Sequence, residues 1–242
     1  MRAVICGANG AMGKLIRQRM EDQIAGLVSL DGENGVATTF AQLGEVDANV
    51  VIDFSHHSAV SEVLAYAIAK GCAAVIGTTG HTREEQALIY EAAGKIPVFY
   101  SGNMSVGIAA LCKLAKDAVK FFPDADIEIL EVHHNRKVDA PSGTAKMLFE
   151  AVKSVRQELF AHCGRAGEGK RQPNEVGISS LRMGNVVGVH EVHICAGTQT
   201  LTLRHEANDR GMLADGAVMA AKFVENKAPG LYTMTELLEE QP

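Results

Sequence analysis

Short apolar runs alternate with helix-length amphipathic segments through the first hundred residues of the chain. The apolar runs predict buried strands at residues 3–6, 27–30, 50–54, 73–76 and 98–100. The segments between them predict helices at residues 12–23, 59–70 and 83–93. Fully apolar strands separated by helices are typical of a parallel sheet covered on both faces. This half of the chain therefore predicts a Rossmann-like, doubly wound α/β domain.

The pattern changes after about residue 105, where apolar and polar positions begin to alternate. Helices are predicted at residues 108–121 and 144–160, and extended runs at 177–182, 187–196 and 200–206. In the middle run His190 shares one side with Val192 and Ile194, while Glu191 and His193 face the other. Strands of this kind bury one face, so the second half predicts an α+β domain built on an open mixed or antiparallel sheet. Two last helices, at residues 213–225 and 235–239, are expected to return to the first domain.

Composition narrows the class of protein. The chain has 242 residues, with 23 basic and 29 acidic side chains and a formal net charge of −6. An acidic chain lacks the dense Lys/Arg surface that a nucleic-acid backbone requires, so no nucleic-acid partner is expected. No apolar stretch approaches the roughly 18 residues of a membrane span, so no membrane association is expected. Small anions remain candidates, because a local basic cluster can act despite a mildly negative total.

The five cysteines are widely spaced, with no CxxC pair and no Cys/His ligand spacing among them. An odd number without a framework predicts reduced thiols and no metal site. The first residues, MRAVICGANG, do not have the pattern of a signal peptide. Together these features predict a cytoplasmic protein.

A glycine loop, CGANGAMG, follows the first strand and opens a predicted helix with Gly7, Gly10 and Gly13. Glycine lets the chain turn tightly and lets a pyrophosphate approach the N–H groups at the helix N-terminus, where the helix dipole favours negative charge. The spacing GxxGxxG also occurs for steric reasons alone. Asp31, after the second strand, has the position of an acid that accepts hydrogen bonds from adenosine ribose hydroxyls, and the alternative is an ordinary turn aspartate before Gly32.

Two further loops, GTTG at residues 77–80 and SGNMS at residues 101–105, follow the fourth and fifth predicted strands. Each would be an ordinary turn in isolation. The carboxyl ends of parallel strands share one edge of the sheet, and ligands bind at that edge. Together with the glycine loop, these segments predict a dinucleotide cofactor site.

The segment EVHHNRKVDAPSGTA, residues 131–145, concentrates two histidines, Arg136 and Lys137 before an SGT turn. Ser142 is a natural N-cap, and the N–H groups of the next two residues would face an anion at the start of a helix. A pocket for a dicarboxylate is one interpretation of this segment. A solvated basic loop is the other.

With this segment the chain resembles the 4-hydroxy-tetrahydrodipicolinate reductases, the dihydrodipicolinate reductase family of lysine and diaminopimelate synthesis. The family pattern E-x-H-H-x-x-K-x-D-A-P-S-G-T-A is matched at every fixed position. The likeness extends in order to GANGAM, VIDFS, VIGTTG, NMSVG, GRxGEGxR, LRMGNVVGVHEV and GLYTMTELL, so it spans essentially the whole chain. It implies an NAD(P)H-dependent oxidoreductase that reduces a cyclic dicarboxylate imine, and it implies a homotetramer. It also implies a dinucleotide-binding domain at residues 1–104 plus 212–242 and a substrate-binding and oligomerisation domain at residues 105–211.

The resemblance implies roles for individual residues. His133 takes the position of the family's proton donor or acceptor, and Lys137 that of its proton donor. An ammonium group there can stabilise the negative charge that hydride delivery builds on an imine and can donate the completing proton. The positions that match substrate-carboxylate contacts are His134, Ser142, Gly143 and Thr144. The positions that match cofactor contacts are Gly7, Ala8, Asn9, Gly10, Ala11, Met12, Asp31, Gly77, Thr78, Thr79, Ser101, Gly102, Asn103 and Met104.

Two departures from the family bear on the choice of cofactor. Members that use NADPH commonly carry Arg in the glycine loop and Arg after the acid of the second strand, where this chain has Ala11 and Gly32. Asp31 would also repel a 2′-phosphate. These residues predict a preference for NADH over NADPH, although Lys14 or Arg17 could still reach a phosphate.

Two segments have roles that the motifs leave open. HHS at residues 56–58 replaces the Arg or Lys with Pro often seen in the family. Residues 165–171 carry Arg165, Lys170 and Arg171 in a glycine-rich loop, which we interpret as a lid over an anionic substrate.

Two other functions compete with the reductase. One is a different nicotinamide oxidoreductase of similar two-domain build, such as an amino-acid dehydrogenase. The other is a regulator that binds NADH and reports its level, which would normally carry a DNA-binding module or a basic face.

Overall fold

The computed structural model describes residues 1–240, apart from the side chain of Asn34. Over those residues the strands are β1 (Ala3–Cys6), β2 (Ile24–Val28), β3 (Val50–Asp53), β4 (Ala73–Ile76), β5 (Pro97–Tyr100), β6 (Asp126–His133), β7 (Phe160–Cys163), β8 (Glu175–Arg182), β9 (Gly188–Ala196), β10 (Gln199–Ala207) and β11 (Gly230–Tyr232). The α-helices are α1 (Ala11–Met20), α2 (Phe40–Leu43), α3 (Val60–Lys70), α4 (Arg83–Ala93), α5 (Val106–Phe121), α6 (Gly143–Lys153), α7 (Gly211–Val224) and α8 (Met234–Glu239).

The chain forms two compact units. The first comprises Met1–Val106 together with the residues from Gly211 on, and the second comprises Gly107–Arg210. Residues 241 and 242, which the sequence assigns to the first domain, lie outside the described residues.

The first unit contains a six-stranded sheet in the order β11-β5-β4-β3-β1-β2, and every neighbouring pair is parallel. Strands β1, β3 and β4 are buried along their whole length. One face packs on apolar residues of α3 and α4, and α7 packs against β4 and β5. Because helices cover the sheet, its strands are apolar without alternation. The predicted doubly wound parallel sheet is confirmed.

The second unit contains a five-stranded mixed sheet in the order β10-β9-β6-β8-β7. Strand β6 runs parallel to β8 and antiparallel to β9. Side chains from α5 and α6, including Leu111, Leu148 and Val152, pack with Ile129 and Val192 of one sheet face to form the core. The predicted open mixed sheet is confirmed, and the alternation of its strands follows from the covering of one face.

The second strand lies earlier than the sequence predicts. It spans Ile24–Val28, and its register with β1 begins at the pair Ala3 and Ile24. Helix α1 correspondingly ends at Met20, followed by one 3₁₀ turn at Glu21–Gln23. Leu30, inside the predicted strand, is 82% exposed. Ala25 and Gly26 interrupt the apolar side chains of IAGLV and hide the first half of the strand, because sheet pairing uses backbone groups and does not require large side chains.

Helix α6 ends at Lys153, well before the predicted residue 160. The chain then turns, and the Arg156 guanidinium donates to the carbonyl of Ala125 and to Asn174 Oδ1, both at 2.8 Å. This anchor directs Phe160–Cys163 into β7, an edge strand whose residues are mostly exposed. Neither β7 nor the three-residue β11 has the apolar pattern from which a strand is predicted.

Some features are absent from the described part of the chain. All five cysteines are free thiols. Residues 1–240 contain no cluster of three or more His, Cys, Asp or Glu able to hold a metal ion. Over the same residues no helix has both the length and the apolar character needed to cross a membrane.

Candidate active site

The glycine loop joins β1 to α1 through a turn that only glycine can make. Gly7 has φ +75°, and an added Cβ would overlap the carbonyl oxygen of Phe54 and lie 2.7 Å from its carbonyl carbon. Gly10 is the N-cap of α1 and offers no side-chain acceptor to the first turn. The N–H groups of a first helical turn have no intrahelical partner, so this turn presents donors to an anion.

Asp31 lies beside the glycine loop. Its Oδ1 accepts hydrogen bonds from Asn9 Nδ2 at 2.5 Å and from the N–H of Glu33 at 3.4 Å. The bond from Asn9 contributes most to holding the pKa of Asp31 below its usual value. Asp31 is therefore an exposed, ionised carboxylate that is oriented by a residue of the loop.

The loops after β4 and β5 lie at the same sheet edge. Thr78 Oγ1 donates to Asp53 Oδ2 at 2.7 Å, and Ser101 Oγ donates to the carbonyl of Asn103 at 2.7 Å. A pocket of about 310 Å³ is lined by Phe54, Ser55, His56, His57, Gly77, Thr78 and Thr79. All the predicted cofactor residues thus follow β1, β2, β4 or β5 at one edge of the parallel sheet. Ala8 and Met104 are buried there, so a ligand would meet their backbone.

The same pocket includes the two histidines whose role the sequence leaves open. His57 Nδ1 lies 2.9 Å from Glu85 Oε2, and His56 forms the N-cap of a 3₁₀ turn by accepting from Ser58 N–H. Asp53, the last residue of β3, is fully buried. Burial raises its pKa, and the hydrogen bonds from Ser55 and Thr78 oppose that rise. The sequence did not single out Asp53, which ties the ends of β3 and β4 together.

In the second unit the covered face of the sheet changes from apolar to polar along the strands. One row across the sheet is apolar: Ile178, Ile129, Val192 and Leu203. The next row is polar: Ser180, Glu131, His190 and His205. The row after it contains Arg182 and His133, opposite Gly188. The candidate site therefore continues the core face at the carboxyl ends of β6 and β8.

Glu131 is the centre of the polar rows. Its side chain is fully buried and receives both Arg182 Nη1 and Nη2, at 2.9 and 2.8 Å. His133 Nδ1 lies 2.5 Å from Oε2, and Ser142 N–H donates to Oε1 at 3.1 Å. Burial raises the pKa of Glu131, but the hydrogen bonds from Arg182, Ser180, His133 and Ser142 outweigh it and lower the pKa to about 2. Glu131 is therefore a buried carboxylate that stays ionised.

The SGT turn begins α6 as predicted. Ser142 is the N-cap, and its Oγ accepts from Ala145 N–H at 3.1 Å. The same oxygen lies 3.2 Å from His190 Nε2. A Cβ added to Gly143 would have no atom of the described residues within 4 Å, apart from its neighbours in sequence and the backbone of α6. The space beside the helix start is therefore open.

The loop between β6 and α6 carries the two other predicted groups. Lys137 Nζ pairs with Asp139 Oδ1 at 2.8 Å, and the Lys137 N–H donates to the His134 carbonyl at 3.1 Å. Burial and then the positive charges of Arg136 and Arg210 lower the pKa of His134, and its Nδ1 has no partner among the described residues. The structure thus brings His133, His134, Lys137 and the SGT turn to one edge of the sheet.

The segment 165–171 lies at the opposite edge. Arg165 pairs with Glu175, and Arg171 pairs with Asp126 at 2.9 Å. Asp126 and Glu175 are the first residues of β6 and β8, whereas His133 is the last residue of β6. At about 3.3 Å per residue the two ends of such a strand are roughly 23 Å apart. In this structure these arginines are held by acids at the end of the strands away from His133, and the lid stays a prediction.

Three residues of this site were missed as functional candidates: Glu131, Arg182 and His190. A signal existed for two of them. Glu131 alternates with the buried Ile127 and Ile129, and His190 with Val192, so each places a polar group on the apolar side of its strand. Such a group needs buried partners. Arg182 had no signal, because its partner Glu131 lies 51 residues away.

Comparisons with known proteins agree over the whole length. A family model described as the N-terminus of dihydrodipicolinate reductase matches residues 1–104, and one described as its C-terminus matches residues 107–238. The 4-hydroxy-tetrahydrodipicolinate reductase of Caldanaerobacter subterraneus is 38% identical over 248 residues, covering 99% of both chains. That of Rickettsia bellii is 41% identical over 234 residues, covering 96% of this chain and 92% of its own.

Solved structures show the same fold. A dipicolinate-bound dihydrodipicolinate reductase from Paenisporosarcina sp. TG-14 has a TM-score of 0.80 at 24% identity, over 96% of this chain and 97% of that one. An amine dehydrogenase from Mycobacterium smegmatis has a TM-score of 0.58 at 14% identity, over 97% and 95%. The fold is thus shared with dehydrogenases of quite different sequence.

Proposed function

The chain belongs to the dihydrodipicolinate reductase family, and from this premise we propose that it reduces 4-hydroxy-tetrahydrodipicolinate to tetrahydrodipicolinate with NAD(P)H, in lysine and diaminopimelate biosynthesis. The observation that carries the proposal is the polar edge of the five-stranded sheet. It combines two histidines, an ammonium group and the amino end of α6, and these groups suit a dicarboxylate that accepts a proton.

The first unit is the cofactor-binding unit in this proposal. The N–H groups at the start of α1 face the pyrophosphate, and Asp31 accepts hydrogen bonds from the adenosine ribose. The pocket beside Gly77–Thr79 has room for part of a dinucleotide. The bound cofactor supplies the hydride. Its contacts are those of residues 7–12, 31, 77–79 and 101–104.

The second unit binds the substrate through His134 and the SGT turn. Helix α6 points its positive end toward the site, and Gly143 and Thr144, with Ser142 beside them, form the binding position for one carboxylate. His134 and nearby cations receive the other carboxylate. Lys137 is one of these cations, and its Nζ lies 2.8 Å from Asp139 Oδ1.

Lys137 and His133 carry the proton chemistry. The reaction adds one hydride and one proton and releases water, and hydride addition to a conjugated imine builds negative charge on carbon and nitrogen. The Lys137 ammonium stabilises that charge and donates the proton. His133 exchanges protons at the same edge.

The proposed function is tested by following NADH oxidation in an assay coupled to a dihydrodipicolinate synthase, which supplies the labile substrate. We expect oxidation that depends on both enzymes and on the synthase substrates. A panel of 2-oxo and amino acids serves as the control, because turnover of those compounds alone would instead support an amino-acid dehydrogenase. Salt-dependent DNA binding without turnover would support the regulator.

We expect kcat/KM for NADH to exceed that for NADPH by about tenfold or more, because the Asp31 carboxylate repels a 2′-phosphate in a partly dry site. Lys14 and Arg17 line a surface pocket with Ile24, the first residue of β2, whereas Asp31 follows the other end of that strand. They are therefore poorly placed to neutralise the phosphate.

We would measure kcat/KM for NADH and for NADPH in the wild type and in Asp31→Ser. The substitution should reduce the ratio of the two values, because it removes the carboxylate. A clear preference of the wild type for NADPH would contradict the assignment of Asp31.

We also propose a homotetramer. Strand β10 is the edge of the five-stranded sheet, and Gln199–Ala207 is exposed over most of its length. Proteins usually cover an edge strand of this length, and association between subunits supplies such cover. Light scattering at micromolar concentration is expected to give four times the chain mass of 25.8 kDa. A monomer under those conditions would exclude this assembly.

A further inference from the structure

We propose that Glu131 is a positioning residue, which fixes the ring of His133 and the SGT turn relative to each other. This inference rests on the proposed function, since His133 and the turn are its proton-transfer and carboxylate-binding elements. None of the motif-derived roles includes Glu131.

The contacts of Glu131 divide between its two oxygens. Oε2 receives His133 Nδ1 at 2.5 Å and Arg182 Nη1 at 2.9 Å. Oε1 receives Ser142 N–H at 3.1 Å and Arg182 Nη2 at 2.8 Å. One planar carboxylate therefore binds the His133 ring through one oxygen and the backbone of Ser142, the first residue of the SGT turn, through the other.

Arg182 makes this arrangement possible. A buried carboxylate is stable only when it is paired and its lone pairs are used, and Arg182 pairs with both oxygens in parallel. Arg182 Nη2 also donates to the Asp139 carbonyl at 2.6 Å, within the loop that carries Lys137. The same pair thus connects the strand, the loop and the helix start.

An ionised carboxylate can only accept hydrogen bonds, so it selects the His133 tautomer with hydrogen on Nδ1. The other nitrogen, Nε2, is then left for proton exchange. Nε2 lies over Gly188, where an added Cβ would approach to 3.3 Å. The sheet position opposite His133 therefore lacks a side chain on the side of the reactive nitrogen.

His190 is the nearest potential competitor. Its ring lies 5.1 Å from that of His133, edge to face. Burial, followed by the charge of His133, lowers the pKa of His190 to about 4, so this ring is neutral near pH 7. The charged and titratable groups around His133 from its own strand, its neighbours and the following loop are Glu131, Arg182, His190, His134, Lys137 and Asp139.

Glu175 provides a matched control in the same sheet. It is also buried, pairs with Arg165 and accepts from the N–H of Gln172 at 3.1 Å. It lies at the first residue of β8, at the end of the sheet away from His133. Glu131→Gln and Glu175→Gln therefore remove equivalent buried charges, and only the first removes a contact with His133.

The experiment measures kcat, dipicolinate affinity and Tm in both variants, and it determines the tautomer of the His133 ring by ¹⁵N NMR. Both variants should have a lower Tm than the wild type, because each removes a buried ion pair. Glu131→Gln should lower kcat by about 100-fold and weaken dipicolinate binding, whereas Glu175→Gln should retain both. The fraction of His133 with hydrogen on Nδ1 should fall in Glu131→Gln only, because an amide at residue 131 can donate to the ring as well as accept from it. Equal kcat and equal His133 tautomer populations in the two variants would overturn the proposal.

The tautomer of His133 in the wild type is an independent readout that needs no variant to fold. Hydrogen on Nδ1 with Nε2 bare is the expected result, and the reverse tautomer overturns the proposal. Without any reductase turnover the proposed function fails while the tautomer result stands, and with turnover but unchanged Glu131→Gln kinetics only the positioning role fails.

Discussion

Lys137→Ala is expected to lower kcat about 1,000-fold, while Tm and cofactor affinity stay close to those of the wild type. In the proposed mechanism the reaction uses only the ammonium group of this side chain, which stabilises developing charge and supplies a proton. Its recorded pairing is with Asp139, which is half exposed, and such pairs contribute about 1 kcal/mol or less to stability. The variant therefore separates chemistry from folding.

The matched control is Lys120→Ala. Lys120 pairs with Asp117 at 3.0 Å on the surface of α5, in the same unit, and lies outside the candidate site. Stopped-flow or steady-state NADH oxidation gives kcat, and cofactor fluorescence gives the affinity. Near wild-type turnover in Lys137→Ala would remove Lys137 from the mechanism.

Gly7→Ala is expected to lower the free energy of unfolding by about 3 kcal/mol and to abolish tight cofactor binding. Two costs combine at this position. The residue has φ +75°, a conformation that a side chain disfavours, and an added Cβ would overlap the Phe54 carbonyl and lie 2.9 Å from Ser55 Cα. Those atoms are backbone at the end of the buried β3, so they cannot rotate away, and β1 or the glycine loop must shift instead.

Gly71→Ala separates the two costs. Gly71 also has positive φ, +65°, but nothing in the described structure lies within 4 Å of an added Cβ. It should lose only about 1 kcal/mol and should bind the cofactor normally. Urea unfolding and NADH titration of the two variants provide the measurement. Equal losses in both would show that the close approach of Gly7 to β3 contributes nothing.

Much of the fold could be predicted because its strands differ in kind. Runs such as AVIC and AAVI are buried on both sides, and their apolar character without alternation indicates a covered parallel sheet. Strands with alternating burial, such as β9, indicate a sheet with one covered face. The failures were local. Strand β2 was placed three residues too late, because Ala25 and Gly26 interrupt the apolar side chains of IAGLV, and β7 is an exposed edge without an apolar pattern.

The motif residues of the candidate site could be named because they are continuous in the chain. The glycine loop and the EVHHNRKVDAPSGTA segment each place their groups within one strand, turn and helix start. Local chemistry then indicates anion binding at both places, since a helix start presents unpaired donors. The partners of Arg165 and Arg171 could not be predicted in the same way, because they are acids at the first residues of β8 and β6, distant in the chain.

The sequence was sufficient to determine the two kinds of sheet, the glycine turn and the cluster of His133, His134 and Lys137, because each depends on residues close together in the chain. Only the tertiary structure could show what holds that cluster in place. Arg182 reaches Glu131 across 51 residues, and His190 reaches Ser142 across 48. These contacts depend on strand register, and register is set by packing of whole sheet faces, which no short motif contains.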